Sequence, residues 1–99
     1  SFDSYPVLSK YLPISQAIGF AVPADVPADA KAVLVDAFKK AMATEKVKSW
    51  AKANYYLLSG KTGAESKAVF SALESNFAWT LWDLKAATVN PSKLGIPKP

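Results

Sequence analysis

From Ala30 onward, apolar residues recur at three- and four-residue steps: Val33, Leu34, Ala37, Phe38, Ala41 and Met42. Lys31, Asp36, Lys39 and Lys40 take the other side, so the spacing predicts an amphipathic helix over 28–42. Pro27 suits the first turn, where a missing N–H costs nothing, and Asp29 sets negative charge at the positive end of the helix dipole. Thr44 is placed to cap a shorter helix through about Ala53. Val47, Trp50 and Ala51 form its apolar edge, Lys46, Lys48 and Lys52 its wet one, and Asn54 is the expected left-handed stop. Thr62-Gly63-Ala64-Glu65 has capping-box spacing and opens a third helix to about Ala87. Two further runs, residues 17–22 and Tyr55-Tyr56-Leu57-Leu58, are apolar without helical period and predict short buried strands, the first buried on both faces.

The chain therefore reads as α/β, with three helices and two short buried strands, forming a single unit over residues 1–99 that ends in a Pro-rich tail over residues 88–99. A brief helical turn across residues 7–11 is expected near the start, capped by Asp3 or Ser4 and ended by Pro13. The third helix carries an unusual distribution. Its main stripe is Val69, Phe70, Leu73, Phe77, Leu81 and Leu84, while Trp79 and Trp82 fall on the far side. A helix with one neighbour needs no second aromatic face, so Trp79 and Trp82 are the candidate interaction face. Missing protein or self-association would cover them.

Composition narrows the chemistry. Ninety-nine residues allow at most one small domain, and 51% hydrophobic content excludes a disordered chain. Net charge is +4, but all twelve cations are lysines scattered among acids. Nucleic-acid readers lean on Arg for bidentate contacts, so no nucleic-acid partner is expected. Histidine and cysteine are absent, which removes zinc fingers, thiol nucleophiles, imidazole bases and most transition-metal sites. No metal or cofactor is expected.

Gly60-Lys61-Thr62 matches the end of a phosphate-binding loop, yet Tyr56 stands near the place where that loop needs glycine. A turn with a helix cap explains it better. Asp29 and Asp36 lie seven apart on the polar side of their helix and read as solvated surface. Ser66 and Ser71 have no base to activate them. No catalytic residue emerges, and the chain is not expected to be an enzyme.

One ordered set of short motifs carries a family resemblance. Gly19-Phe20-Ala21-Val22-Pro23, then Pro27, then a helix running into Ala43-Thr44-Glu45-Lys46-Val47-Lys48-Ser49-Trp50 resembles the C-terminal part of the solute-binding proteins of tripartite tricarboxylate transporters, or Bug proteins. The similarity runs from about Tyr5 to Ile96. It includes a tryptophan near Trp79 and a closing Gly95-Ile96. Val26 stands where the family has Thr or Ser before the helix-opening proline, and Val7 replaces a Thr. The resemblance implies a C-terminal fragment, an incomplete lobe of a two-lobed periplasmic-binding-protein-like fold. It implies a periplasmic location, a small carboxylate as ligand in the full-length protein, and transporter membrane components as partners. No substrate-binding residue of the family maps onto a position here. Two other classes stay open: a small helical protein–protein interaction module using the Trp79/Trp82 face, and a basic surface protein meeting anionic lipid or nucleic acid.

Overall fold

A computed structural model describes residues 4–11 and 15–99. The described chain is helical: a 3-10 helix Pro6–Tyr11, α1 Ala28–Met42, α2 Glu45–Ala53, α3 Gly63–Asp83 and a short 3-10 helix Pro91–Leu94. Its contacts gather into two compact units. One joins Ala64–Pro99 with the chain before Gly19, and the other is Gly19–Gly63.

The helices follow the expected periodicity, with informative ends. α1 starts after Pro27 without a side-chain cap, and the Asp29 carboxylate accepts the Ala30 N–H at 2.9 Å. Asp36 and Lys40 pair at 2.7 Å along its surface, but both are exposed, so the pair adds only a few tenths of a kcal/mol. Thr44 links α1 to α2: its hydroxyl donates to the Ala41 carbonyl at 2.7 Å and accepts the Val47 N–H at 3.4 Å. In the same unit, the Phe20 ring meets the Phe38 ring edge-on at 6.4 Å.

The C-terminal ends of α2 and α3 share one motif. The Tyr56 N–H bonds to the Ala51 carbonyl at 2.8 Å and the Tyr55 N–H to the Lys52 carbonyl at 3.3 Å. At α3, Ala86 bonds to Leu81 at 2.8 Å and Lys85 to Trp82 at 2.9 Å. These are Schellman caps, whose pivotal residue takes the left-handed conformation that glycine usually fills. Here Tyr55 (φ 60°) and Lys85 (φ 59°) fill it. Asn54 keeps φ −104° and its side-chain amide caps the Trp50 carbonyl, so the left-handed stop lies one residue later than expected. The second cap also ends α3 at Asp83, four residues short of Ala87.

The α/β expectation is corrected: no strand or sheet occurs among the described residues. Residues 17–22 form no regular structure, and Phe20 is almost fully exposed. Residues 55–58 begin inside the cap of α2, which commits the Tyr55 and Tyr56 N–H groups to helix carbonyls. Too little chain then remains to form a ladder, and a strand without a neighbour leaves its backbone unpaired. Among the described residues Thr62 makes no capping bond to the third helix, which Gly63 opens at φ 55°. The turn across residues 7–11 is present as the 3-10 helix Pro6–Tyr11. Asp3, one of its two candidate caps beside Ser4, and Pro13, its expected terminator, lie outside the described residues.

Burial is sparse. Ala51 is the one buried hydrophobic among the described residues, joined by Ser75 and Pro91. Large side chains from both units, including Phe20, Val33, Tyr55, Leu57, Phe77 and Leu84, face outward. At roughly 25 cal/mol per Å² of apolar area removed from water, such a chain gains little from its own contacts.

Candidate interaction surface

α3 presents two apolar faces of different fate. The far face, where the sequence sets Ser75, Ala78, Trp79 and Trp82 at three- and four-residue steps, receives the chain's own C-terminal tail. The Ser75 hydroxyl, itself buried, donates to the Pro97 carbonyl. The Trp79 indole N–H donates to the Ile96 carbonyl at 3.1 Å, and the Lys98 ammonium stands 5.2 Å from the centre of the Trp79 ring. A cation over an aromatic face adds attraction of about 0.5–1 kcal/mol where exposed. Trp79 and Trp82 are both half-buried.

The tail reaches that face through a second run of local devices. Asn90 caps the 3-10 helix Pro91–Leu94, its side-chain oxygen accepting the Ser92 N–H at 3.0 Å. Gly95 then takes φ 71°, and the Ile96 N–H returns to the Pro91 carbonyl at 3.1 Å. This reversal presents the Ile96 and Pro97 carbonyls to α3. Beside it lies an open cleft of about 360 Å³, with apolar walls from Ala78, Leu81, Val89, Pro91, Leu94 and Ile96.

The main stripe of α3 looks outward. Phe77 is 55% exposed, with Phe70 and Leu81 also exposed and Val69 and Leu73 half-covered; Leu84, expected on the same stripe, is exposed just past the helix end. The face that sequence spacing gave to a neighbouring helix is thus the open one.

In the other unit, Trp50 and Tyr56 stack in parallel, 5.2 Å between ring centres and 9° between planes. Both remain exposed. Between them in sequence stands Tyr55, 97% exposed, with Leu57 at 95% just after. Along α1 runs an open groove of about 540 Å³ bordered by Val26, Ala32, Val35, Lys31, Asp36 and Lys39.

Among the described residues no group of acidic side chains is placed to hold a metal ion, and no helix is long and apolar enough to cross a membrane. Gly60, in the Gly-Lys-Thr run, sits at φ 62° in the irregular stretch that leads to α3. The arrangement suits surface contact through aromatic and aliphatic side chains. The exposure of Tyr55 and Leu57 runs against their reading as a buried strand, because an apolar run reads as buried unless the cap that interrupts it is recognised. No family model, curated protein or solved structure matches this chain.

Proposed function

We propose that this chain works by packing apolar helical faces against a larger body, and that the body is an extracytoplasmic solute-binding protein of a tripartite tricarboxylate transporter. The observation that supports the first half is the outward-facing α3 stripe of Phe70, Phe77 and Leu81. Such a face is stable in water only under cover. The second half rests on the ordered motifs from Gly19 to Trp50 and the closing Gly95-Ile96. In that reading a small carboxylate is captured in the periplasm by the full-length protein and passed to membrane components. This stretch buttresses a lobe and holds no complete ligand site.

Calorimetry on two products tests the reading. The whole open reading frame around this segment should give a product that binds one small carboxylate, drawn from a panel of citrate, dicarboxylates and amino acids. The 99-residue chain alone should show no tight isotherm. A sub-micromolar one-to-one isotherm for the chain alone, or a reading frame without a preceding lobe, would overturn it.

A second reading, a small helical protein–protein interaction module, is favoured by the fact that the outward apolar residues of α3 all lie on one regular helix. An amphipathic helix laid in a partner's groove uses just such spacing. A module would bind its partner without any carboxylate dependence, which separates the two.

A further inference from the structure

We infer that the loop closing α2, with Tyr55 and Leu57 at its tip, is a docking element for an anionic lipid surface. The first support is conformational. Tyr55 holds φ 60° at a position where glycine or asparagine would sit without strain. Tyr55 is 97% exposed, so its side chain makes no packing contact that offsets that strain, and only the two cap hydrogen bonds hold it. Lys85 takes the same conformation in the matching cap of α3, so what sets Tyr55 apart is the large aromatic side chain displayed there.

The second support is the neighbouring side chains. Leu57 is as bare as Tyr55, and the exposed Trp50–Tyr56 stack lies in the same unit. Tyrosine and tryptophan settle at the headgroup level of a bilayer, while leucine reaches the acyl boundary. A protein partner would demand a shaped surface, whereas side chains standing clear of their own chain offer none. A lipid interface needs no shape complementarity.

The third support is charge. Residues 19–44 balance three lysines with three acids, whereas residues 45–61 hold four lysines, Lys46, Lys48, Lys52 and Lys61, against Glu45 alone. Glu45 pairs with Lys48 at 3.4 Å. Among the described residues Lys46, Lys52 and Lys61 make no ion pair. The whole positive excess of this unit therefore sits on α2 and the loop. Lysine serves here as well as arginine, because attraction to an anionic leaflet needs charge and no bidentate geometry.

Vesicle co-sedimentation of the full chain tests this independently of any carboxylate binding. The chain should bind vesicles of equal parts phosphatidylcholine and phosphatidylglycerol, bind pure phosphatidylcholine far less, and be released by salt. Tyr55→Asn with Leu57→Ser should weaken partitioning by roughly tenfold or more, since losing even one such apolar side chain from the interface removes about that factor. Asparagine tolerates the left-handed conformation, so unchanged helical circular dichroism would separate lost binding from lost folding. Lys52→Glu with Lys61→Glu should abolish the preference for phosphatidylglycerol. Phe77→Ser with Leu81→Ser on α3 should leave vesicle binding unchanged. Equal binding to both vesicles, binding that survives the loop variants, or loss confined to the α3 variant would each overturn the proposal. So would a chain whose loop captures a protein partner while ignoring vesicles.

Discussion

At the scale of single residues, Tyr55 and Lys85 bring local preference and observed conformation into conflict. Each occupies the left-handed pivot of a Schellman cap, and each lacks glycine's freedom there. Relieving that conflict should strengthen the caps: Tyr55→Asn is expected to gain about 1 kcal/mol locally. The gain would be read as slower amide exchange at Tyr55 and Tyr56, whose N–H groups close the cap. Faster exchange would mean that the ring supplies more than its exposure suggests. Thr44 works in the opposite sense. Thr44→Ala removes both the long 3.4 Å acceptor contact to Val47 and the 2.7 Å donation to the Ala41 carbonyl, at an expected cost of about 1 kcal/mol. Chemical shifts over residues 45–53 should report a modest loss of helix.

At the scale of elements, α3 and the tail form the best-tied pair. Ser75 and Trp79 each reach a tail carbonyl, and Lys98 adds its charge above the indole. Deleting residues 95–99 removes all three attachments together. In a Trp50→Phe, Trp82→Phe background, tryptophan emission from Trp79 should then shift to the red. Unchanged emission would mean that something other than the tail covers the ring. Trp79→Phe in the full chain keeps the ring but leaves the Ile96 carbonyl without its indole donor, which costs about 1 kcal/mol. The expected sign is faster limited proteolysis after Gly95.

The same elements show what sequence can and cannot disclose. The bounds of α1 and the Thr44 start of α2 follow from 3.6-residue periodicity and capping chemistry, which are local. The runs at 17–22 and 55–58 carry no such constraint. An apolar run reads alike as buried strand or exposed coil until a pairing partner is found, and neither run has one among the described residues. The cover over Trp79 joins residues 17 apart, and the Ser75 bond joins residues 22 apart. Nothing in the spacing of α3 announces a tail that folds back, so the second aromatic face was legible as a face and its occupant was not.

At the scale of the whole molecule, the account rests on one claim: the chain has too little core of its own and depends on cover from outside it. Three residues are buried among those described, and large apolar side chains in both units face water. Folding orders each residue at an entropic cost of about 1–2 kcal/mol, which only burial on a comparable scale offsets. Differential scanning calorimetry of the isolated chain at low concentration tests this most directly. A self-sufficient domain of this size unfolds near 60 °C with an enthalpy of about 60–80 kcal/mol. The account predicts a broad transition of far smaller enthalpy, rising as concentration is increased. A sharp, concentration-independent peak with the full enthalpy would contradict it.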